Sequence, residues 1–451
     1  MSKYKPYKDY KVSNVDWLGD IPSHWICTNL KRYCNVTDGS HHSPKIQENG
    51  YPFISVTDVG INSINFEAAK KISEKDYIRL VKEGCKPKIG DVLLTKDGTI
   101  GRACIVDGDM QDFVILSSLG LLTPSDRLAN RFLYYYLVSG INVDQMNSMI
   151  HGSALRRMTI SKIDQLIVTF PPFNEQEQIA NFLDHETAKI DILIEKQQQL
   201  IKLLKEKRQA VISHAVTKGL NLEALMKDSG VEWLGEVPEH WDTSKLKYLT
   251  TQIVDGAHFT PTYVDDGIPF LRVTDIHKKE IDLNNIKFIP KTEHEELIKR
   301  CKPIRGDLLL SKNGTIGVPK VVDWDWDFSI FVSLCLIKFN KKIDVNYAYY
   351  FFKTHEIQEQ IFGQIKQSTV INLHLDKIAK FVFTVPPINE QKDIVEYLDE
   401  IIGKYDLQVI KAEEMNDLLR ERRTALISAA VTGKIDVRNW QMPEVSEEEV
   451  A

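Results

Sequence analysis

Four blocks of this sequence occur twice, in the same order. Val15 to Trp25 returns as Val231 to Trp241, Asp38 to Pro44 as Asp255 to Pro261, Gly90 to Gly101 as Gly306 to Gly317, and Pro171 to Thr217 as Pro386 to Thr432. The offset stays between 215 and 217 residues in a chain of 451, which is duplication of one large unit and far too long for a solenoid repeat. The resulting order is globular region, helix, globular region, helix. Two different bodies joined by two similar helices suggest a pseudo-twofold object, because duplicated surfaces tend to find the contact a homodimer would use.

The helical block is the most regular. After Pro171 and Pro172 no Gly or Pro occurs until Gly219, so the spacing predicts one long helix, with a near-copy from Pro386. Asn174 is the expected cap, Glu175 and Glu177 sit near the positive end of the dipole, and the double proline sets an extended entry. With Leu183 at heptad position a, Ile190, Gln197, Leu204 and Val211 follow at a, Leu193 and Leu200 fall at d, and Ile194 and Ile201 at e. The copy places Leu398, Tyr405, Ala412, Leu419 and Leu426 at a, with Ile401, Met415 and Ala429 at d. The expected packing set is therefore Leu183, Ile190, Leu193, Leu200, Leu204 and Val211 against Leu398, Ile401, Tyr405, Met415, Leu419 and Leu426. These stripes suit an antiparallel coiled coil of two strands, about 60 Å long at 1.5 Å per residue; two separate core helices are the alternative. Ile194 and Ile201 exceed what one partner helix needs, and are expected to help dock a further subunit.

Composition narrows the class. At 43% hydrophobic and 27% charged the chain is ordinary for a protein with real cores, and the lack of an eighteen-residue apolar run predicts a cytoplasmic protein that does not enter a membrane. Six cysteines without a C-x-x-C pair suggest buried thiols rather than a disulfide framework or a zinc ribbon. The net charge is -6, but residues 386–451 alone carry fifteen acidic and eight basic side chains. Any nucleic-acid contact must then come from local patches rather than from the overall field.

Each globular region reads as mixed α/β, with short strands such as Pro52 to Val56 and Asp91 to Leu94, and helical turns over Phe132 to Val138 and Tyr347 to Lys353. The predicted divisions are 1–170, a first globular region; 171–218, the central helix; 219–385, a linker and second globular region; 386–435, the second helix; and 436–451, an acidic frayed tail. The G-T-I-G turns lack the G-K-[ST] ending of a P-loop, so nucleotide binding is not indicated. A turn that exposes Lys96, Thr99 and Arg102, or Lys312, Asn313 and Thr315, suits phosphate or base edges better, although a hairpin with solvated lysines satisfies the same residues. His41 and His42 beside Asp38, and His258 beside Asp255, invite a metal reading, but no further Cys, His or carboxylate cluster accompanies either site, so a catalytic metal is not expected. Phe170-Pro171-Pro172-Phe173 imitates an N-P-P-F methyltransferase signature but has Phe in place of Asn, and no complete catalytic set accompanies it.

Taken together, W-L-G-x-[IV]-P-x-H-W, D-G-x-H-x-x-P, G-D-x-L-L-[ST]-K-x-G-T-I-G and P-P-x-N-E-Q before a long helix, each present twice, resemble the specificity subunits of type I DNA restriction-modification enzymes. The resemblance covers nearly the whole chain. It implies two α/β target-recognition domains separated by two long antiparallel coiled-coil helices, each domain reading half of a split, asymmetric sequence in double-stranded DNA. It also implies a non-catalytic chain that works with two methyltransferase subunits, which bind S-adenosylmethionine, and with restriction and translocase subunits that use ATP and Mg. By position the DNA-facing residues would be Ser40, His41, His42, Lys45, Lys96, Thr99, Arg102, Ser153, Arg156 and Arg157 in the first region. In the second they would be His258, Thr260, Tyr263, Arg272, Lys312, Asn313, Thr315, Lys366, Ser368 and Asn372. A coiled-coil scaffold that never touches DNA is the competing expectation.

Overall fold

The computed structural model describes residues 4–150, 157–278, 280–365 and 373–443. The chain forms two compact units that do not follow the helix boundaries: residues 1–197 with 414–451, and residues 198–413. Each unit therefore contains one globular region, the first half of one long helix and the second half of the other.

In the first unit a four-stranded antiparallel sheet is built from β1 (Cys34–Asp38), β2 (Val92–Thr95), β3 (Ala103–Ile105) and β4 (Leu119–Pro124), in spatial order β1-β4-β2-β3. Val92, Leu93 and Leu94 are all buried, because this sheet is covered on both faces. A second sheet pairs Tyr51–Ile54 with Lys70–Ile72 and, in parallel, with Val114–Ile115. The helix α1 (Asn130–Val138) has Phe132 to Leu137 buried without a break, as befits an element enclosed on every side. The long helix α2 runs from Phe173 to Lys218, 46 residues or about 70 Å. It starts one residue before Asn174: the Pro172 carbonyl accepts the first bonds, from the Glu175 and Gln176 amides at 2.9 and 3.0 Å, so Asn174 is inside the helix and is not its cap.

The second unit repeats the plan with β5 (Thr250–Asp255), β6 (Leu308–Ser311), β7 (Pro319–Val321) and β8 (Leu334–Phe339) in order β5-β8-β6-β7. The helix α3 (Val345–Phe352) is capped by Asp344, and α4 (Ile388–Val431) is the second long helix. Residues expected to form a free linker are structured: Met226–Asp228 pairs with Glu236–Pro238, and the W-L-G block is the turn between these strands. Tyr10–Val12 and Asp20–Pro22 form the matching hairpin in the first unit.

The P-P-x-N-E-Q block joins each long helix to its globular region. The Gln176 side chain accepts from the Ala129 amide at 2.9 Å and donates to the Arg127 and Pro171 carbonyls, fixing the chain that enters α1. Gln391 does the same for Asp344, Lys342 and Pro386. Glu175 is not a loose partner for the helix dipole but a buried acceptor for Tyr7, His24 and Trp25. At the far helix ends, Thr169 bonds the Val431 carbonyl and Thr384 the Val216 carbonyl, both at 2.6 Å.

The long helices run antiparallel within each unit. In the first, Gln178 reaches the Val437 carbonyl just beyond α4, while Asp191 meets Arg423 at 2.8 Å. In the second, Lys205 pairs with Glu413 at 3.2 Å and Arg208 with Asp406 at 3.1 Å. The a positions face inward as expected: Leu183, Ile190, Leu398 and Leu419 are buried, and Leu204, Val211, Tyr405 and Leu426 half-buried. Three of the d positions do not: Leu193, Leu200 and Met415 are 47, 44 and 46% exposed, whereas Ile401 is half-buried and Ala429 buried. The second inward row is e: Thr187, Ile194, Ile201, Arg208 and Ala215 on α2, and Ile402, Val409, Asn416, Arg423 and Ala430 on α4 are buried or half-buried. Ile194 and Ile201 thus belong to the intramolecular seam. Apolar residues at three positions of the heptad allow either row, and the inward one is set by tertiary packing rather than by the period.

The tail is also more ordered than predicted as far as it is described. The Asp436 amide donates to the Lys5 carbonyl at 2.8 Å, and Trp440 packs edge-on against Phe182. Five cysteines are buried and Cys27 is half-buried, all as free thiols. Among the described residues no helix is long and apolar enough to cross a membrane.

Candidate nucleic-acid interface

Two loops and the described end of a third segment come together at the same end of the four-stranded sheet in each unit. The first follows β1. Gly39 is required by close approach rather than by its dihedral, since a Cβ there would lie 2.1 Å from the Ile115 carbonyl oxygen; at Gly256 the figure is 2.0 Å from Ile330. The backbone of Ser40 then pairs with Ile115 and Ser117, and its hydroxyl is spent on the amide and carbonyl of His42. Ser40 is consequently buried and unavailable, whereas His41, His42 and Lys45 are exposed. In the second unit His258, Thr260 and Tyr263 are exposed, with Lys287 5.7 Å above the Tyr263 ring.

The second loop is the G-T-I-G turn between β2 and β3. Its neck is closed by Thr95, whose amide donates to the Arg102 carbonyl at 2.8 Å and whose hydroxyl accepts from the Arg102 amide at 2.9 Å. Ser311 makes the same pair of bonds with Val318, which explains the [ST] before the lysine. Gly98, Gly101, Gly314 and Gly317 adopt φ of 66, 96, 70 and 83°, where a side chain would be strained. Thr99, Arg102 and Thr315 are exposed and Asn313 is half-buried.

The two lysines of this turn are not exposed, contrary to the sequence expectation. The Lys96 side chain is 1% exposed, with its ammonium 3.7 Å from the Asp38 carboxylate. That of Lys312 is 5% exposed, with its ammonium 2.9 Å from Asp255. Both are drawn inward because a carboxylate at the end of β1 or β5, one strand removed in the sheet, needs a countercharge. Burial lowers the Lys96 pKa, with Asp97 and Asp38 opposing it. Burial also pushes the Asp255 carboxyl up, but hydrogen bonds from Lys312 and His258 and their charges outweigh it and hold the group down at about 2.

The same carboxylates hold the histidines. His41 Nε2 is 3.2 Å from Asp38 and His258 Nε2 2.9 Å from Asp255, while both rings remain largely exposed. Arg300 adds a third partner in the second unit, 3.1 Å from the Asp255 carboxylate and 2.7 Å from the Gly256 carbonyl. Asp255 as a hub and Arg300 as its partner escaped sequence reasoning, because no motif joins residues 45 positions apart in a diverged segment. Among the described residues no group of three His, Cys, Asp or Glu is placed to hold a metal ion.

The third loop precedes the strand that leads into each long helix. Ser153, Arg156, Lys366, Ser368 and Asn372 lie outside the described residues. Its last residues are described: Arg157 bridges to Asp97, with Nε 3.3 Å from the carboxylate, and the Met158 amide donates to the Lys96 carbonyl at 2.8 Å. Leu373 makes the matching bond to Lys312 at 2.9 Å. Arg272 is less available than expected, since its guanidinium folds back on Asp275 at 3.3 Å.

Comparison with known proteins agrees with this repeated arrangement. The family model for the type I restriction modification DNA specificity domain matches residues 29–203 and again 238–415, so the chain belongs to that family. The specificity subunit of the type I restriction enzyme EcoBI from Escherichia coli is 24% identical over 425 residues, covering 90% of this chain and 85% of that one. The MjaVIII specificity subunit from Methanocaldococcus jannaschii is 21% identical, covering 96 and 98%. A solved chain from a study of complex assembly and conformational transition of a type I restriction-modification system has the same fold, with a TM-score of 0.66 at 16% identity over 92% of this chain and 99% of that one.

Proposed function

We propose that this chain is the DNA-reading subunit of a type I restriction-modification complex, each globular region reading one half of a bipartite, asymmetric site. The observation that carries this reading is the same loop cluster built twice on one scaffold with different outward residues. His42 is matched by Phe259, Lys45 by Thr262 and Arg102 by Val318, so the scaffold is common and the readout differs. The paired helices set the distance between the half-sites.

The chain performs no chemistry of its own. Two methyltransferase subunits bind S-adenosylmethionine, and restriction subunits use ATP and Mg. The methyltransferases dock on the outer face of the long helices, where Ile192, Leu193, Leu200 and Leu203 on α2 and Leu407, Ile410, Met415 and Leu418 on α4 remain exposed. The negative net charge of -6 fits a reader whose phosphate affinity comes largely from these partners.

Mapping methylated adenines in cells that express the chain with its methyltransferase partner tests the proposal. A split motif that disappears when this chain is deleted is expected. Methylation that persists unchanged without it would leave only a scaffold role.

A further inference from the structure

An Asp–Lys pair with a buried lysine occupies the same place in both units, and each pair touches the first two loops and the described residue that ends the third. Asp38 ends β1 and carries the first loop; Lys96 opens the second; the Lys96 carbonyl receives the Met158 amide at 2.8 Å, where the third loop ends. Asp255, Lys312 and Leu373 repeat these relations. The pair is the same in both units although the exposed residues around it differ. A side chain common to two readers of different sequences cannot carry the difference between them, and an ammonium sealed from solvent cannot reach a phosphate without breaking its partner.

We infer that Asp38–Lys96 and Asp255–Lys312 are positioning pairs that hold the three loops in one arrangement, and that neither lysine touches DNA. The two differ in grip. Asp255 is held by Lys312, His258 and Arg300, and its lysine is at 2.9 Å, whereas Asp38 has Lys96 at 3.7 Å and His41 at 3.2 Å. The loops of the second unit are therefore preset, and those of the first yield more to the DNA they meet. The consequence for recognition rests on the function proposed above; the consequence for loop order does not.

The test uses the chain co-purified with its methyltransferase partner, and compares Lys312→Met with the neutral double variant Asp255→Asn/Lys312→Met. Removing one member of a buried pair strands the other, while removing both charges relieves it. Amide exchange in 256–260, 313–317 and 373–375 should quicken at least about tenfold in the single variant and return to within about threefold of wild type in the double. Unchanged exchange in the single variant would overturn the positioning role.

On duplexes carrying the motif that the wild-type complex enriches from a random library, the single variant should lose target discrimination and the double regain it, with non-specific affinity unmoved. A double variant as poor as the single on DNA, but restored in exchange, would show that Lys312 itself contacts DNA and would contradict the inference. Should the wild-type complex enrich no motif, the DNA-reading proposal fails and the exchange arm alone decides the pair. Lys96→Met, judged the same way, should show the smaller effect.

Discussion

Trp25 donates its indole N–H to the Glu175 carboxylate at 3.1 Å, across 150 residues of sequence. Tyr7 at 2.5 Å and His24 at 2.8 Å share the same group. Burial, followed by the Glu175 hydrogen bond, raises the Tyr7 pKa above its ordinary range, so the phenol stays a donor. The W-L-G-x-[IV]-P-x-H-W and P-P-x-N-E-Q motifs are thus two halves of one clamp between the first hairpin and the long helix. In the second unit His240 bonds Glu390 at 2.8 Å, but the buried Trp241 indole N–H has no hydrogen-bond partner among the described residues.

Glu175→Ala should cost about 3 kcal/mol, because it strands a buried indole and a phenol, while Glu390→Ala should cost about 1 kcal/mol or less. Thermal unfolding of the two variants side by side checks the ranking, and equal effects would refute the clamp as described.

Gly39→Ala and Gly256→Ala each place a methyl group about 2 Å from a backbone carbonyl that cannot move aside. The loss should reach at least about 2 kcal/mol at either site. Gly84→Ala provides a control: its φ of 81° is also unfavourable for Ala, yet nothing lies within 4 Å of the added carbon. Its cost should be smaller, as unfolding curves would reveal.

Much of the scaffold was legible in the sequence for a physical reason: duplication doubles every signal, and a stretch of 46 residues without Gly or Pro has few ways to be anything but a helix. The a positions followed from period alone. The d positions largely did not, because Leu193 and Ile194 are adjacent and equally apolar, and only the packing leaves the first exposed and the second half-buried. Lys96 and Lys312 looked exposed since charge beside a Gly-rich turn usually is. Their partners Asp38 and Asp255 lie 58 and 57 residues earlier on another strand. Ser40 failed for a similar reason, its hydroxyl being consumed by a turn that no residue pattern announces.

The corrected seam makes a paired prediction. Ile194→Asp puts a charge into the row between the helices and should destabilise the chain by about 2 kcal/mol or more. Leu193→Asp, on the exposed side, should leave unfolding within about 0.5 kcal/mol of wild type yet weaken co-purification of the methyltransferase. The opposite pattern would restore the original heptad reading.

Stability should depend on acid through Asp255. Its carboxyl is held at about 2 in the folded chain, below the roughly 3.9 of a free aspartate. A depressed carboxylate contributes fully above the unfolded value and loses its contribution as pH falls through the folded one. The unfolding temperatures of wild type and Asp255→Asn should therefore differ at pH 6 and converge between about pH 4 and pH 2. A gap that persists unchanged at the acid end would deny the carboxylate this role.

Selection from a random duplex library by the chain with its methyltransferase partner, read by sequencing, bears most directly on the whole account. The prediction is two unrelated short blocks at one fixed separation, with Leu193→Asp lowering yield but not altering the motif. One continuous block, a perfect palindrome, or two blocks at freely varying separation would contradict it.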